Sequence, residues 1–129
     1  MAIERRTRQK DAITRALGRA GKPLLPREIL TAARRRCTKL GIATVYRGLR
    51  AMLGAGVVTC VRIPGAPPRY ELSGTGHHHY FRCRSCRRVF NVQGCPGGFR
   101  ALVPRGFHLE AHDLVLYGRC ATCRDLARA

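Results

Sequence analysis

The residues of this 129-residue chain best equipped for chemistry are its seven cysteines and five histidines, and most of them lie in its second part. Four cysteines form two clips, Cys83-x-x-Cys86 and Cys120-x-x-Cys123, separated by residues 87–119. At that spacing a tight turn aims both sulfurs of a clip the same way. Two clips then make a closed tetrahedral S4 site, the geometry of structural Zn2+. The competing uses of four thiols are a pair of disulfides or plain burial. The opening residues Met1-Ala2-Ile3-Glu4-Arg5-Arg6 contain no apolar core of the secretory type. A reducing, cytoplasmic setting is therefore expected, where paired clips mean metal or redox chemistry. The long stretch between the clips suits bracing a small sheet better than closing a single knuckle.

The histidines carry a second signal. Residues 77–83 read as a hinge passing into a strand, and side chains of a strand alternate between its faces. His77 and His79 then point one way, while His78 and Tyr80 point the other. The three adjacent histidines divide between two sites, or else form a solvated, tag-like run. Catalysis fits poorly. A nucleobase deaminase needs both a His-x-Glu and a Pro-Cys-x-x-Cys, and that pair of motifs does not occur because no Pro precedes either clip. Four thiolates also leave no open position on a zinc ion, and a thiol oxidoreductase wants one clip rather than two. No small-molecule substrate is expected.

The elements that must hold these residues follow from charge and periodicity. With 25 Lys and Arg against 7 Asp and Glu, the formal charge is +18, which points to nucleic acid first and an anionic membrane surface second. No apolar run is long enough to span a bilayer. Residues 1–74 hold 16 basic and 4 acidic residues, and residues 75–129 hold 9 and 3. The boundary falls at Ser73-Gly74-Thr75-Gly76, a stretch of hinge composition. This gives two domains, 1–74 and 75–129.

In the first domain, Ile13 and Leu17 mark a helix from about Thr7 to Ala20. Pro26 starts a second, with Ile29, Leu30 and Ala33 on one face and Arg34-Arg35-Arg36 in its last turn. Val45, Leu49, Met52 and Leu53 share a face of a third, which Gly54 and Gly56 stop. Two β-prone runs, Val57–Ile63 and Arg69–Leu72, flank the turn-rich Pro64-Gly65-Ala66-Pro67-Pro68. Three helices and a hairpin make a winged helix. Its third helix presents Ala43, Thr44, Tyr46, Arg47 and Arg50 outward. Small residues at its start allow close approach to DNA, Tyr46 suits thymine methyls, and Arg47 suits a phosphate or a guanine edge. The plainer reading of that face is solvated surface. Arg5, Arg6 and Arg8 are expected in an arm before the first helix, lying against the DNA backbone or in a minor groove, or else in a disordered terminus.

At Gly41-Ile42-Ala43-Thr44-Val45-Tyr46-Arg47 the chain resembles the ferric uptake regulator superfamily. The likeness continues through Arg69-Tyr70-Glu71-Leu72, the histidine run, both clips and His112. It implies an α+β protein: an N-terminal winged helix, then a small α/β dimerisation domain with a four-cysteine zinc site. It also implies a homodimeric, metal-responsive regulator, a repressor of metal-homeostasis or stress genes, on inverted-repeat operators in double-stranded DNA. The alternative is a zinc-stapled DNA-binding protein that has lost metal sensing.

Two sensing sites are implied by the same likeness. One resembles a set to which Glu71 and His78 belong, but Leu24 and Tyr80 stand at positions where the family has histidines, so this site is degenerate. Tyr ligates only as a phenolate, which its ordinary pKa of about 10 opposes. The other resembles a set of His77, His79, His112 and an acidic residue whose place falls near Cys95, at the start of a helix. Cys95 is then a ligand or simple packing. Imidazoles with a thiolate favour Zn2+ over Fe2+ or Mn2+, so the regulatory divalent ion is expected to be Zn2+ or Fe2+. Cys60 and His108 read as structural, and Cys37 as a small apolar residue on the second helix.

Overall fold

From Ala2 to Leu17 the chain contains no glycine or proline and is dominated by Ala, Arg, Glu, Gln and Lys, which are strong helix formers. In the computed structural model, which describes residues 2–128, helix α1 accordingly runs Ala2–Ala20. Thr7 does not cap it. Its hydroxyl donates to the Ile3 carbonyl one turn back at 2.9 Å, so a threonine that looks like a helix start is accommodated inside the helix. Arg5, Arg6 and Arg8 therefore stand on α1 and form no arm.

Helix α2 (Pro26–Ala33) opens with Pro26 at its first position, where the missing N–H costs nothing. The Glu28 carboxylate accepts from the Leu25 N–H at 2.9 Å and closes the first turn. Arg34, Arg35 and Arg36 lie just beyond α2 rather than in its last turn. Arg34 donates from Nε to the Leu40 carbonyl at 2.9 Å and ties down the connection to the next helix. Cys37 also lies past α2, and it packs against the core as a small apolar group.

Helix α3 (Ile42–Gly54) buries Val45, Leu49 and Met52. Leu53 does not join them and is 37% exposed. Eight residues at about 100° each place it roughly 80° around the helix from Val45, at the edge of the stripe. Gly48 sits where α3 meets α1, and a β-carbon there would come 2.9 Å from Cδ1 of Ile13. The three helices close over Ile13, Leu17, Ile29, Leu40, Val45, Leu49 and Met52. Strands β1 (Val58–Val61) and β2 (Arg69–Leu72) pair antiparallel, with Val58 opposite Leu72, and form the wing. Leu24 is buried, and its backbone exchanges hydrogen bonds of 2.9 and 2.8 Å with Tyr70. This first unit, a winged helix, ends at Thr75, and a second begins at Gly76.

The second unit holds a three-stranded sheet of order β4-β3-β5. Strand β3 (His79–Cys83) pairs antiparallel with β4 (Val89–Val92), His79 opposite Val92. It pairs parallel with β5 (Val115–Gly118), Tyr80 beside Val115 and Cys83 beside Gly118. A single 3-10 turn, Phe99–Leu102, lies between β4 and β5, and helix α4 (Ala121–Arg128) follows. Among its described residues only His79, Cys83 and Val89 are buried. So thin a core means that something other than apolar packing must hold this unit together.

No helix among the described residues is long and apolar enough to cross a membrane.

Candidate metal centres and the exposed recognition helix

The parallel pairing of β3 with β5 decides where the ligating residues meet. Cys83 ends β3, and Cys86 follows it in the turn to β4. Cys120 and Cys123 follow β5, Cys123 on the first turn of α4. Both clips therefore arrive at the C-terminal edge of the same strand pair. Their four sulfurs lie within 4.8 Å of one another, and Cys86 Sγ and Cys120 Sγ are 3.8 Å apart. Zinc–sulfur bonds of about 2.3 Å in a tetrahedron place sulfurs about 3.8 Å apart, so the set fits a closed zinc site. Cys83 Sγ accepts the backbone N–H groups of Cys86 at 3.4 Å and Cys120 at 3.3 Å. Those two donors lower the Cys83 thiol to about 5. Burial, then the neighbouring thiols, push Cys123 up to about 12. Four sulfurs this close cannot all carry charge without a cation among them. No pair of these cysteines is joined in a disulfide.

At the opposite edge of the same strands stands a second cluster. His79 opens β3, His77 precedes it, His112 comes shortly before β5, and Cys95 follows β4. Their ligand atoms also lie within 4.8 Å of one another. His77 Nε2 and His112 Nε2 are 3.0 Å apart, and Cys95 Sγ is 3.2 Å from His112 Nε2. Gly97 and Gly98, at φ of 70° and 74°, turn the chain beyond Cys95, and the ring of Phe99 stacks at 4.4 Å on His112. His79 is 2% exposed, and its Nε2 has no hydrogen-bond partner. A buried imidazole nitrogen left without a partner is costly, and a metal ion held by the cluster would supply the missing bond. Burial first, then the charges of His77 and His112, lower the His79 pKa, which favours the neutral form of the ring.

The strand parity expected of the histidine run holds. The rings of His77 and His79 meet edge to face at 4.5 Å, while His78 lies against Tyr80 at 5.2 Å and turns its Nδ1 to the Gly76 carbonyl. Cys95 stands in a loop, not at a helix start, and only the short 3-10 turn follows it. Of the degenerate set, Glu71 is buried on β2 of the first unit, whereas His78 and Tyr80 belong to the second. Leu24 is committed to the core. His108 is exposed and lies outside both clusters, and Cys60 sits on β1 opposite Tyr70.

On α3, Ala43, Tyr46, Arg47 and Arg50 are exposed and Thr44 is half-buried, with Tyr46 at 50%. Arg47 donates to the Thr44 hydroxyl at 3.1 Å, which lays its guanidinium along the helix. Between α1 and α3 runs a groove of about 550 Å³, lined by Arg5, Arg6 and Lys10 on one side and Thr44 and Arg47 on the other. Arg8 does not line it. The sequence offered no sign of Lys10 here; its spacing from Arg6, one helical turn along α1, is the only available hint.

These features have relatives. The model of the ferric uptake regulator family matches residues 3–117. The chain belongs to that family. It is a family of transcription regulators, not of enzymes. The ferric uptake regulation protein of Campylobacter jejuni is 34% identical over 89 residues, covering 67% of this chain and 57% of that protein. The chain spans about three-fifths of the length of the curated relatives it matches. FurB of M. tuberculosis, a zinc uptake regulator, is 30% identical, with 93% of this chain and 95% of that one covered and a TM-score of 0.52. A zinc-bound manganese uptake regulator is 26% identical, with 87% of each chain covered and a TM-score of 0.74.

Proposed function

We propose that this member of the ferric uptake regulator family is a metal-responsive, DNA-binding regulator of transcription. It acts in the cytoplasm as a homodimer and represses metal-homeostasis or stress genes from inverted-repeat operators. One observation carries the reading. A winged helix with an exposed Ala43-Tyr46-Arg47 face shares its chain with two ligand clusters fixed to the two edges of one strand pair.

In this reading the first unit binds DNA. Arg5, Arg6, Lys10 and Arg47 hold phosphates, while Ala43, Thr44 and Tyr46 meet base edges and Arg50 the flanking backbone. The second unit dimerises. Leu116 and Tyr117 on the edge strand β5, with Leu102, Phe107 and Leu126, leave apolar surface exposed there. Cys83, Cys86, Cys120 and Cys123 hold structural Zn2+. His77, His79, Cys95 and His112 hold the regulatory ion, and three imidazoles with one thiolate select Zn2+ over Fe2+. When bound, that ion ties the loop after β4 to the entries of β3 and β5. The Glu71, His78 and Tyr80 set contributes little, because Leu24 offers no donor atom.

The test is DNA binding by purified protein, with and without a chelator of intermediate strength. Affinity should fall steeply with salt, by about 0.9 in log–log slope for each phosphate held. Arg47→Ala should weaken binding to any duplex, and Tyr46→Ala should chiefly erode preference for the operator. Equal affinity for random and promoter DNA refutes the reading. The buried Leu24 favours one rival, a zinc-stapled DNA binder without metal response, and operator binding indifferent to the chelator supports that rival.

A further inference from the structure

Among the seven cysteines, Cys95 is the exposed one; Cys83 is buried and the other five are half-buried. It is also the single anionic donor in its cluster, since the other three ligands are imidazoles. The cluster is marked as a ligand site by its member His79, which is 2% exposed and whose buried Nε2 has no hydrogen-bond partner. An oxidant in solution therefore meets the thiol of the regulatory site before any thiol of the zinc staple. We propose that Cys95 is an oxidative modification site at which hydroperoxides unload the His77/His79/Cys95/His112 cluster and leave the four-cysteine staple intact. This rests on the metal-site reading above.

The step is a two-electron oxygen transfer. The Cys95 sulfur attacks the distal oxygen of the hydroperoxide, and an S–O bond forms as the O–O bond breaks. The alkoxide or hydroxide that leaves takes up a proton. Sulfur goes from thiolate to sulfenic acid, and the peroxide is reduced to an alcohol or water. The cluster then has no anionic donor and one open position, and three imidazoles hold a divalent ion less well than three imidazoles and a thiolate. Thiols restore the cysteine through a mixed disulfide, so the loss is reversible.

The experiment uses full-length protein saturated with Zn2+ and titrated with hydrogen peroxide. A chromophoric chelator reports zinc release, and dimedone adducts are located by mass spectrometry. One ion per chain should leave, with the adduct on Cys95, and excess dithiol should restore uptake before dimedone is added. Cys95→Asp, which keeps an anionic donor without a thiol, should require at least a tenfold higher peroxide concentration for the same release. Adducts that appear first on the clip cysteines overturn the proposal, as does oxidation of Cys95 with both ions retained. A wild-type chain that takes up only one ion at saturation overturns the site reading itself, and the proposal with it.

Discussion

Replacing Cys83 with Ser strikes the best-anchored ligand of the staple. Its sulfur is fully buried and accepts N–H groups from both clips, Cys86 at 3.4 Å and Cys120 at 3.3 Å. Serine is shorter, is not ionised at neutral pH, and leaves three thiolates with an open position. The apparent binding free energy of structural zinc in small domains is on the order of 10 kcal/mol. Against that, this unit buries only Cys83 and Val89 as apolar side chains among its described residues, and Val89 contributes about 1.5–3 kcal/mol. Packing cannot replace the ion. Cys83→Ser should hold less than one zinc per chain and lose the strand contribution to its circular dichroism. In size-exclusion chromatography it should run as monomer or aggregate. A thermal transition from the first unit should survive, because its helical core, from Ile13 to Met52, includes no zinc ligand. A variant that keeps wild-type zinc content, both transitions and the dimer refutes the argument.

His112→Ala should abolish metal-dependent DNA binding while the staple zinc remains, and Glu71→Ala or His78→Ala should do far less; the reverse pattern, read by chelator-dependent operator binding, inverts the ranking of the two sensing sites. Acid should empty the His/Cys cluster. His79 lies below its ordinary 6.5, so the folded chain takes up this proton later than the unfolded one; the stability it contributes is full above 6.5 and is lost as pH falls through its lowered value. A chelator-monitored titration should therefore release the His/Cys ion progressively as pH falls below 6.5, and full retention into acid contradicts this. Gly48→Leu should destabilise the first unit by roughly 1–3 kcal/mol through overpacking, since the β-carbon it adds falls 2.9 Å from Ile13 Cδ1, as read by urea denaturation.

The features legible in the sequence are those set by local spacing. A two-residue gap fixes a cysteine clip, strand alternation separates His77 and His79 from His78, and a 3.6-residue period buries Val45, Leu49 and Met52 together. Where two local signals compete, the sequence misleads. Thr7 carries the chemistry of a helix cap, yet good helix formers on both sides extend α1 past it. Leu53 sits at the margin of a helical stripe, where a few tens of degrees decide between core and solvent. The partnership of Cys95 with His112 rests on β3 lying between β4 and β5. That order is a property of the whole sheet, and no residue near position 95 encodes it.

The strand pair carrying ligands at both edges has a consequence for how the protein is made. The wing hairpin and three helices are complete once residue 72 has left the ribosome, and they can close around their own core at once. Nothing equivalent is available to the second unit. Neither cluster can be completed until the chain has reached His112 and Cys123, and β3, which pairs with β4 at once, must wait for β5 some thirty residues downstream. Closing so large a loop is unfavourable until contacts at its ends reward it. Metal capture at the proposed sites would therefore follow folding of the first unit. A nascent chain presents its third helix before it can hold either ion, so under the function proposed above the DNA-binding unit would fold before any metal is sensed.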